Sequence, residues 1–349
     1  MLSQRERAGP AAQRWEGEGL LDRWRLNRAS SSKRRRAVIK ASHRKQHFVA
    51  KSYLKAWTDP NTPENHEPYV WSFPVEGGAP TNRPPVKLLW EPEMYTRFGE
   101  GGERDLGIEM ALQRLETAFG VARKNYVEKR AKLPPRELAV FMAFVAAQKF
   151  RTPAAREHMR ATWEPVIDRI DQMKRGLDKM TPEQRKRAAS VRSISSGPSM
   201  SEDQVRKLAE QPLQKLLLPT VKSLVPHLTR FSAAFLTTTD ETGFITSDDP
   251  CVWFDPAAHQ RPPMHRAPAL MYKTLEITLP ISPDCLLLLN KKGVEGYFEI
   301  PLADVDEINR RTRAFADKVF ISRSAEAKPF WYERGEAPSE DELGPSILG

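Results

Sequence analysis

From about Asp105 to Lys132 the apolar residues Leu106, Met110, Leu112, Leu115, Phe119 and Val121 recur at helical spacing. This pattern predicts a long helix, which Pro134-Pro135 ends. The same prolines suit the first turn of a second helix, Arg136 to Phe150, because a first-turn N–H has no intrahelical partner to lose. Phe141, Met142, Phe144 and Val145 leave that helix without a polar face, the mark of an element surrounded on all sides. Thr152-Pro153 kinks or restarts the chain, and Ala154 to Met180 reads as a long, charged, more exposed helix. Ser201-Glu202-Asp203-Gln204 has the form of a capping box. In the helical region that follows, Pro212, Pro219 and Pro226 recur at seven-residue spacing, which predicts a bent helix or several short pieces.

On either side of this helical middle the pattern is that of strands. His47 to Trp57 reads as a short helix or extended segment that buries Phe48, Tyr53, Leu54 and Trp57. Tyr69 to Phe73 alternates large and small residues, and Val86 to Trp90 is a second short strand candidate. Phe231 to Thr238, Phe244 to Ser247, Cys251 to Phe254, Leu275 to Leu279 and Cys285 to Asn290 are short runs separated by Gly, Pro and Asp. Thr239 to Gly243 supplies a hairpin connection between the first two. Asp304 to Lys318 gives a last helix, followed by the apolar run Val319-Phe320-Ile321. The expected fold class is α+β, a predominantly helical middle with a small, mostly antiparallel sheet built from the N-terminal and C-terminal parts. No internal repeat is visible.

Composition adds bounds. A chain of 349 residues with 40% hydrophobic content and eight tryptophans can bury a real core. Its two cysteines, Cys251 and Cys285, lie in different strand candidates without metal-site spacing, so no disulfide framework or thiolate metal site is expected. The longest apolar run, Leu138 to Ala147, falls short of the roughly 18 residues of a spanning helix, and the N-terminus lacks a signal-peptide core. A soluble cytoplasmic protein without a membrane partner is expected.

The formal net charge of +10 changes meaning once it is partitioned. Residues 1–45 carry 13 Lys and Arg against 4 Asp and Glu, whereas residues 46–349 carry 42 against 41. The body is nearly neutral, which argues against a high-affinity duplex binder. Residues 1–45 read as a basic, disordered extension, either an arm making weak, non-specific nucleic-acid contacts or sequence upstream of the true start. Residues 46–323 read as one domain with a flexible insertion at about 181–202, and residues 324–349 as a flexible tail.

Gln46-His47-Phe48-Val49-Ala50-Lys51-Ser52-Tyr53-Leu54-Lys55-Ala56-Trp57 resembles the opening motif of a bacterial family, domain-of-unknown-function family 4238. That motif reads H-[FY]-V-P-x-x-Y-L-x-x-[FW], and Ala50 is the clear departure from it. Further matches follow in order: Glu93-Met94-Tyr95, the paired acids of Ile108 to Glu116, Gln148 with Arg151-Thr152-Pro153, Phe244 to Pro250, Leu279 to Pro283 and Val319 to Ser322. The resemblance implies sites of interest and no reaction.

The polar residues within these matches are the candidates for chemistry. Glu109 and Glu116, seven apart, share a helix face about 10 Å apart along its axis, where they could reach a shared metal or an arginine, or form a solvated stripe. Gln148 and Arg151 share a face at the end of the most apolar helix, where a charge needs an acid partner. Arg151 can clamp Glu109 or Glu116, or hold a phosphate or carboxylate with its planar fork. Asp248 and Asp249, before Pro250, suit metal ligation or turn capping. His47 is a core histidine, a ligand or a general base. No dinucleotide fingerprint, Walker loop, nucleophile elbow, H-E-x-x-H or Cys/His cluster is present. Two readings stay open. In one, Glu109, Glu116 and Asp248 hold Mg²⁺ or Mn²⁺ in a metal-assisted phosphodiesterase or nuclease, with His47, Gln148 and Arg151 in the catalytic site. In the other, the same residues form a structural polar network in a non-catalytic binding or regulatory protein.

Overall fold

The computed structural model describes residues 44–190, 200–333, 335 and 346–347, all within the compact unit Arg44–Gly349. Almost all of the basic extension and parts of the expected insertion and tail lie outside the described residues. In chain order the strands are β1 Lys45–His47, β2 Val70–Pro74, β3 Thr81–Arg83, β4 Trp90–Pro92, β5 Arg97–Phe98, β6 Arg104–Asp105, β7 Ser232–Thr237, β8 Thr246–Ser247, β9 Val252–Phe254, β10 Glu276–Ser282, β11 Cys285–Asn290, β12 Gly296–Glu299 and β13 Val319–Ser322. The α-helices are α1 Lys51–Leu54, α2 Gly107–Ala122, α3 Pro135–Phe150, α4 Pro153–Asp178, α5 Pro182–Ser190, α6 Glu202–Glu210, α7 Pro212–Leu228 and α8 Leu302–Ala314. The fold is α+β.

Every residue of β11 is buried because the strand has a hydrophobic neighbour on each face. Alternate side chains point to opposite faces of a sheet, and Leu287 and Leu289 join the main core while Leu286 and Leu288 enter a second cluster. The main core brings Phe141, Phe144 and Val145 of α3 and Leu213, Leu217 and Leu224 of α7 to the same side as Ile277 and Leu279. The second cluster adds Val305 and Ile308 of α8. The five-stranded sheet, in the order β12-β7-β11-β10-β9, therefore carries helices on both faces. α3 has no polar side to offer water, as its sequence implies, and Phe119 of α2 stacks on its Phe144 at 3.8 Å.

A second sheet, in the order β3-β2-β13-β8, joins strands from the two ends of the chain. Phe73 of β2 and Phe320 of β13 stack at 4.9 Å in its small core, which also holds Ile245 and Trp331. β1 pairs with β4, so Gln46 faces Glu91 and His47 faces Trp90. All strand pairs among the described residues are antiparallel except β12 with β7.

Two expectations are corrected. Val86 to Trp90 is not a strand: Pro85–Lys87 form a 3₁₀ turn, Leu89 takes a left-handed φ of 51°, and β4 begins only at Trp90. Thr239 to Gly243 does not join a hairpin, because β7 and β8 belong to different sheets. The turn instead crosses between them, with Gly243 at φ +65° against the Pro283 carbonyl, where a Cβ would lie 2.1 Å from its oxygen. In the proline-spaced region, where a bent helix or several short pieces were both open, α7 is one continuous helix. Its internal Pro219 and Pro226 share the exposed side with Lys215 and Lys222, so the carbonyls that the prolines free can be hydrated. The capping box at Ser201 and Gln204 is formed, and of the expected insertion Pro182–Ser190 is helical.

Gly243→Ala should be costly, since it combines a left-handed backbone with a backbone clash. We expect a loss of at least about 2 kcal/mol, read as a lower midpoint with unchanged slope in urea unfolding. An unchanged midpoint would show that the turn relaxes freely.

Candidate functional site

The chain turns sharply between α3 and α4, and three adjacent residues divide the work. Arg151 is the C-cap of α3. Thr152 is the N-cap of α4, extended as a residue before proline prefers to be, and its hydroxyl accepts the Ala155 N–H at 3.2 Å. Pro153 occupies the first helical position, where its missing N–H has no partner to lose.

Arg151 is 2% exposed. Its Nη1 donates to Glu116 Oε1 at 2.8 Å and to Gln148 Oε1 at 3.3 Å, and its Nη2 donates to the His47 carbonyl at 2.5 Å. Tyr95 closes the arrangement, with its hydroxyl on the Arg151 carbonyl at 2.7 Å and its ring 5.9 Å from the guanidinium. Burial works against the charge, and Glu116 and Tyr95 more than offset it, so the guanidinium stays protonated. Tyr95 is itself held by Gln46, whose side chain accepts the Tyr95 N–H at 2.5 Å and donates to Thr96 Oγ1 at 2.8 Å. Gln148 Nε2 and Arg151 Nε are buried without a hydrogen-bond partner.

The other candidates occupy distinct positions. Glu109 lies in the first turn of α2 and accepts from Gln113 at 3.1 Å, so the helix-to-helix clamp of Arg151 is made with Glu116. His47 takes part in the clamp through its carbonyl. Burial pushes its imidazole below the usual value, against a backbone hydrogen bond with Val86, and Lys51, Arg151 and Lys45 add to the fall. Its Nε2 is buried and has no hydrogen-bond partner.

Asp248 belongs to a different junction. Its Oδ1 accepts the Asp317 N–H at 2.8 Å, and its Oδ2 accepts those of Lys318 and Val319 at 2.7 and 3.1 Å. The carboxylate thus fastens the end of β8 to the start of β13, a cap on a distant segment rather than on its own turn. Burial raises its pKa, opposed by these three amides. A cavity of about 210 Å³ lies beside it, lined by Phe48, Trp90, Glu91, Pro153, Ala154, Asp248, Asp317 and Lys318. This cavity brings Asp248 near the neighbours of His47 and Arg151 without including the side chains of His47, Glu109, Glu116, Gln148 or Arg151.

Asp249, singled out in the sequence only as the neighbour of Asp248, is the more perturbed acid. Burial pushes its carboxyl up to about 6; Lys149, 3.7 Å away, lowers it and Asp248 raises it. Its Oδ1 has no hydrogen-bond partner. Cys251, buried beyond it, is pushed up to about 12 by desolvation, far from a reactive thiolate.

The motif residues also grip one another across long sequence separations. Tyr53 donates to the Pro280 carbonyl at 2.7 Å and shares a hydrogen bond with Thr246 at 2.8 Å. Trp57 Nε1 donates to the Phe244 carbonyl at 2.8 Å. Asn309 of α8, which no sequence pattern marked, accepts the Ile245 N–H at 2.9 Å and donates to the Gly243 carbonyl at 2.8 Å. The buried pair Arg311–Glu276 was likewise missed, at 3.0 Å with both side chains below 5% exposure. Helical periodicity around Arg311 could have flagged it as an arginine on a buried face.

Arg151→Met should cost about 3–5 kcal/mol in urea unfolding, because Glu116 and the His47 carbonyl lose their partner. Arg151→Lys should recover little of it, since one ammonium does not reproduce a planar fork; full rescue by lysine would refute the clamp. Asp249 governs a second test. Its folded carboxyl holds a proton more tightly than the unfolded one, so the stability it contributes is complete below its unfolded value of 3.8 and is lost as pH rises through about 6. The loss amounts to at most about 3 kcal/mol. Asp249→Asn should remove that slope between pH 4 and 7, whereas an identical slope in both proteins would assign it to other groups.

No curated protein and no solved structure matches the chain. A family model described as "Protein of unknown function (DUF4238)" matches residues 45–326, which spans the clamp, the Asp248 junction and the interlocked motifs alike. The chain belongs to the DUF4238 family.

Proposed function

We propose that this chain is a non-catalytic binding protein in which His47, Glu109, Glu116, Gln148, Arg151 and Asp248 are structural polar residues, with Glu116, Gln148 and the His47 carbonyl gathered on Arg151 and Asp248 serving a separate junction. One observation carries this reading: the fork of Arg151 and the carboxylate of Asp248 are both engaged by groups of the chain itself. A scissile phosphate would find both Nη atoms of Arg151 already engaged inside the core, with the buried Nε as the donor that has no partner. An Asp248 that held Mg²⁺ or Mn²⁺ would share its carboxylate with three backbone amides that join two strands. A metal-assisted phosphodiesterase or nuclease has less support, since no group of three or more His, Cys, Asp or Glu is placed to hold a metal ion among the described residues. Any nucleic-acid contact is assigned to the basic residues 1–45 rather than to this network. Among the described residues no helix is long and apolar enough to cross a membrane.

The deciding measurement is a thermal melt of the full chain with Mg²⁺, with Mn²⁺ and with chelator, run beside Asp248→Asn and Glu116→Gln. A bound ion at a hundredfold excess over its dissociation constant adds about 2.7 kcal/mol. We expect the unmutated protein to ignore both metal and chelator, and both variants to be destabilised equally in all three conditions. Metal-dependent stabilisation that either substitution abolishes would overturn this reading in favour of the metal enzyme.

A further inference from the structure

β10 sends Ile277 and Leu279 into the main core, so the pleat turns Glu276 to the opposite face of the sheet, toward α8. Glu276 is 2% exposed there, on a face otherwise built from apolar residues such as Leu286, Leu288, Val305 and Ile308. A carboxylate in such a place needs both oxygens matched. Arg311 of α8 matches one, donating from Nη1 to Oε2 at 3.0 Å. The guanidinium is itself fixed, by Glu307 at 2.9 Å and by the ring of Phe254 at 4.1 Å.

The other oxygen is met from far along the chain. Ser346 Oγ donates to Glu276 Oε1 at 2.6 Å, and the Ile347 N–H donates to the same atom at 3.1 Å. Among the described residues Oε1 has no other donor. The Ile347 side chain packs against the second hydrophobic cluster. The body of the domain thus supplies a fixed acceptor beside an apolar wall, and two consecutive residues supply what fits there: a hydroxyl, a backbone N–H and an aliphatic side chain. Hydrogen bonds to an ionised carboxylate are the strong kind, and the aliphatic group adds apolar burial. Because every residue but proline carries the N–H, it is the hydroxyl and the aliphatic group that read sequence. Ser346 and Ile347 are half-buried and belong to no helix or strand, so their departure breaks no ladder bond.

We infer that the Glu276 pocket is a peptide-binding site for Ser or Thr followed by an aliphatic residue, which Ser346-Ile347 fill in cis. Filled in this way the pocket is guarded: a tethered segment competes at an effective concentration on the order of millimolar, and a partner's segment enters only by displacing it. The inference rests on the reading of this chain as a binding protein and names its ligand class. Its residues are separate from Arg151 and Asp248, so the metal melts and the binding experiment can fail independently.

The probe is the peptide Gly-Pro-Ser-Ile-Leu-Gly, the sequence of residues 344–349, blocked at both ends and carrying a fluorophore. Ser346→Ala with Ile347→Asp vacates the pocket in the full chain. By fluorescence anisotropy this variant should bind the probe at least about tenfold more tightly than the unmutated chain does. Exchanging the probe's Ser for Ala, or its Ile for Asp, should weaken binding by a similar factor, whereas Thr in place of Ser should change it little. A vacated variant that unfolds cooperatively yet binds no probe would overturn the proposal, as would equal binding of the probe and its Ala and Asp forms. Should that variant not fold, hydrogen exchange of the unmutated chain decides: excess probe should speed exchange of the Ile347 amide, and an unchanged rate would sink the idea. So would a dimer that the vacated variant dissociates, since the pocket would then hold the segment of a second copy.

Discussion

A guanidinium with 2% of its surface exposed organises the N-terminal half of this domain. Removing an arginine from water is tolerable only if its donors meet acceptors in good geometry, and each acceptor for Arg151 comes from a different place. Glu116 brings α2, Gln148 belongs to α3, and the His47 carbonyl fixes the end of β1. None of these contacts tolerates a shift of an ångström without leaving a buried group unmatched. The turn that follows inherits this rigidity, because Thr152 and Pro153 begin α4 directly from the clamped residue.

The clamp is one of three long-range ties that share a logic. Tyr53 and Trp57 reach nearly two hundred residues ahead to Phe244 and Thr246, and Asp248 gathers three amides near residue 318. The second sheet, drawn from both ends of the chain, depends on these ties because β8 is only two residues long. A strand that short has too few ladder bonds to place itself, so side-chain hydrogen bonds supply what the ladder lacks. The motifs that made the sequence recognisable are therefore largely the partners of one another.

Elements that depend on their own residues were legible in the sequence. α3 was readable because a helix with no polar face has only one place to go, and the cap of α6 because Ser201 and Gln204 answer each other within one turn. The partner of Arg151 was narrowed to two acids by the need of a buried arginine for a carboxylate and by the paired acids of the family motif. What stayed hidden is non-local. Nothing in Thr239–Gly243 says that the chain is about to change sheets; the information lies in Pro283, against which only glycine fits. β12 has a largely exposed pattern and forms because β7 offers an edge. Gln46 and Asn309 look like ordinary polar residues until the backbone groups they serve are brought within reach.

The same distinction separates the two ends of α4. Its first turn is fixed by the clamp and lines the small cavity, but most of its length rises from the body with only α6 and a few contacts from other helices beside it. An isolated helix gains little from propensity alone, since most helical stability in proteins comes from burying an apolar face. Trp163 and Ile170 obtain part of that burial from α6, whereas Val166, Met173 and Leu177 obtain little. The clamp therefore fixes where α4 begins, and its pairs with α6 hold the length that follows.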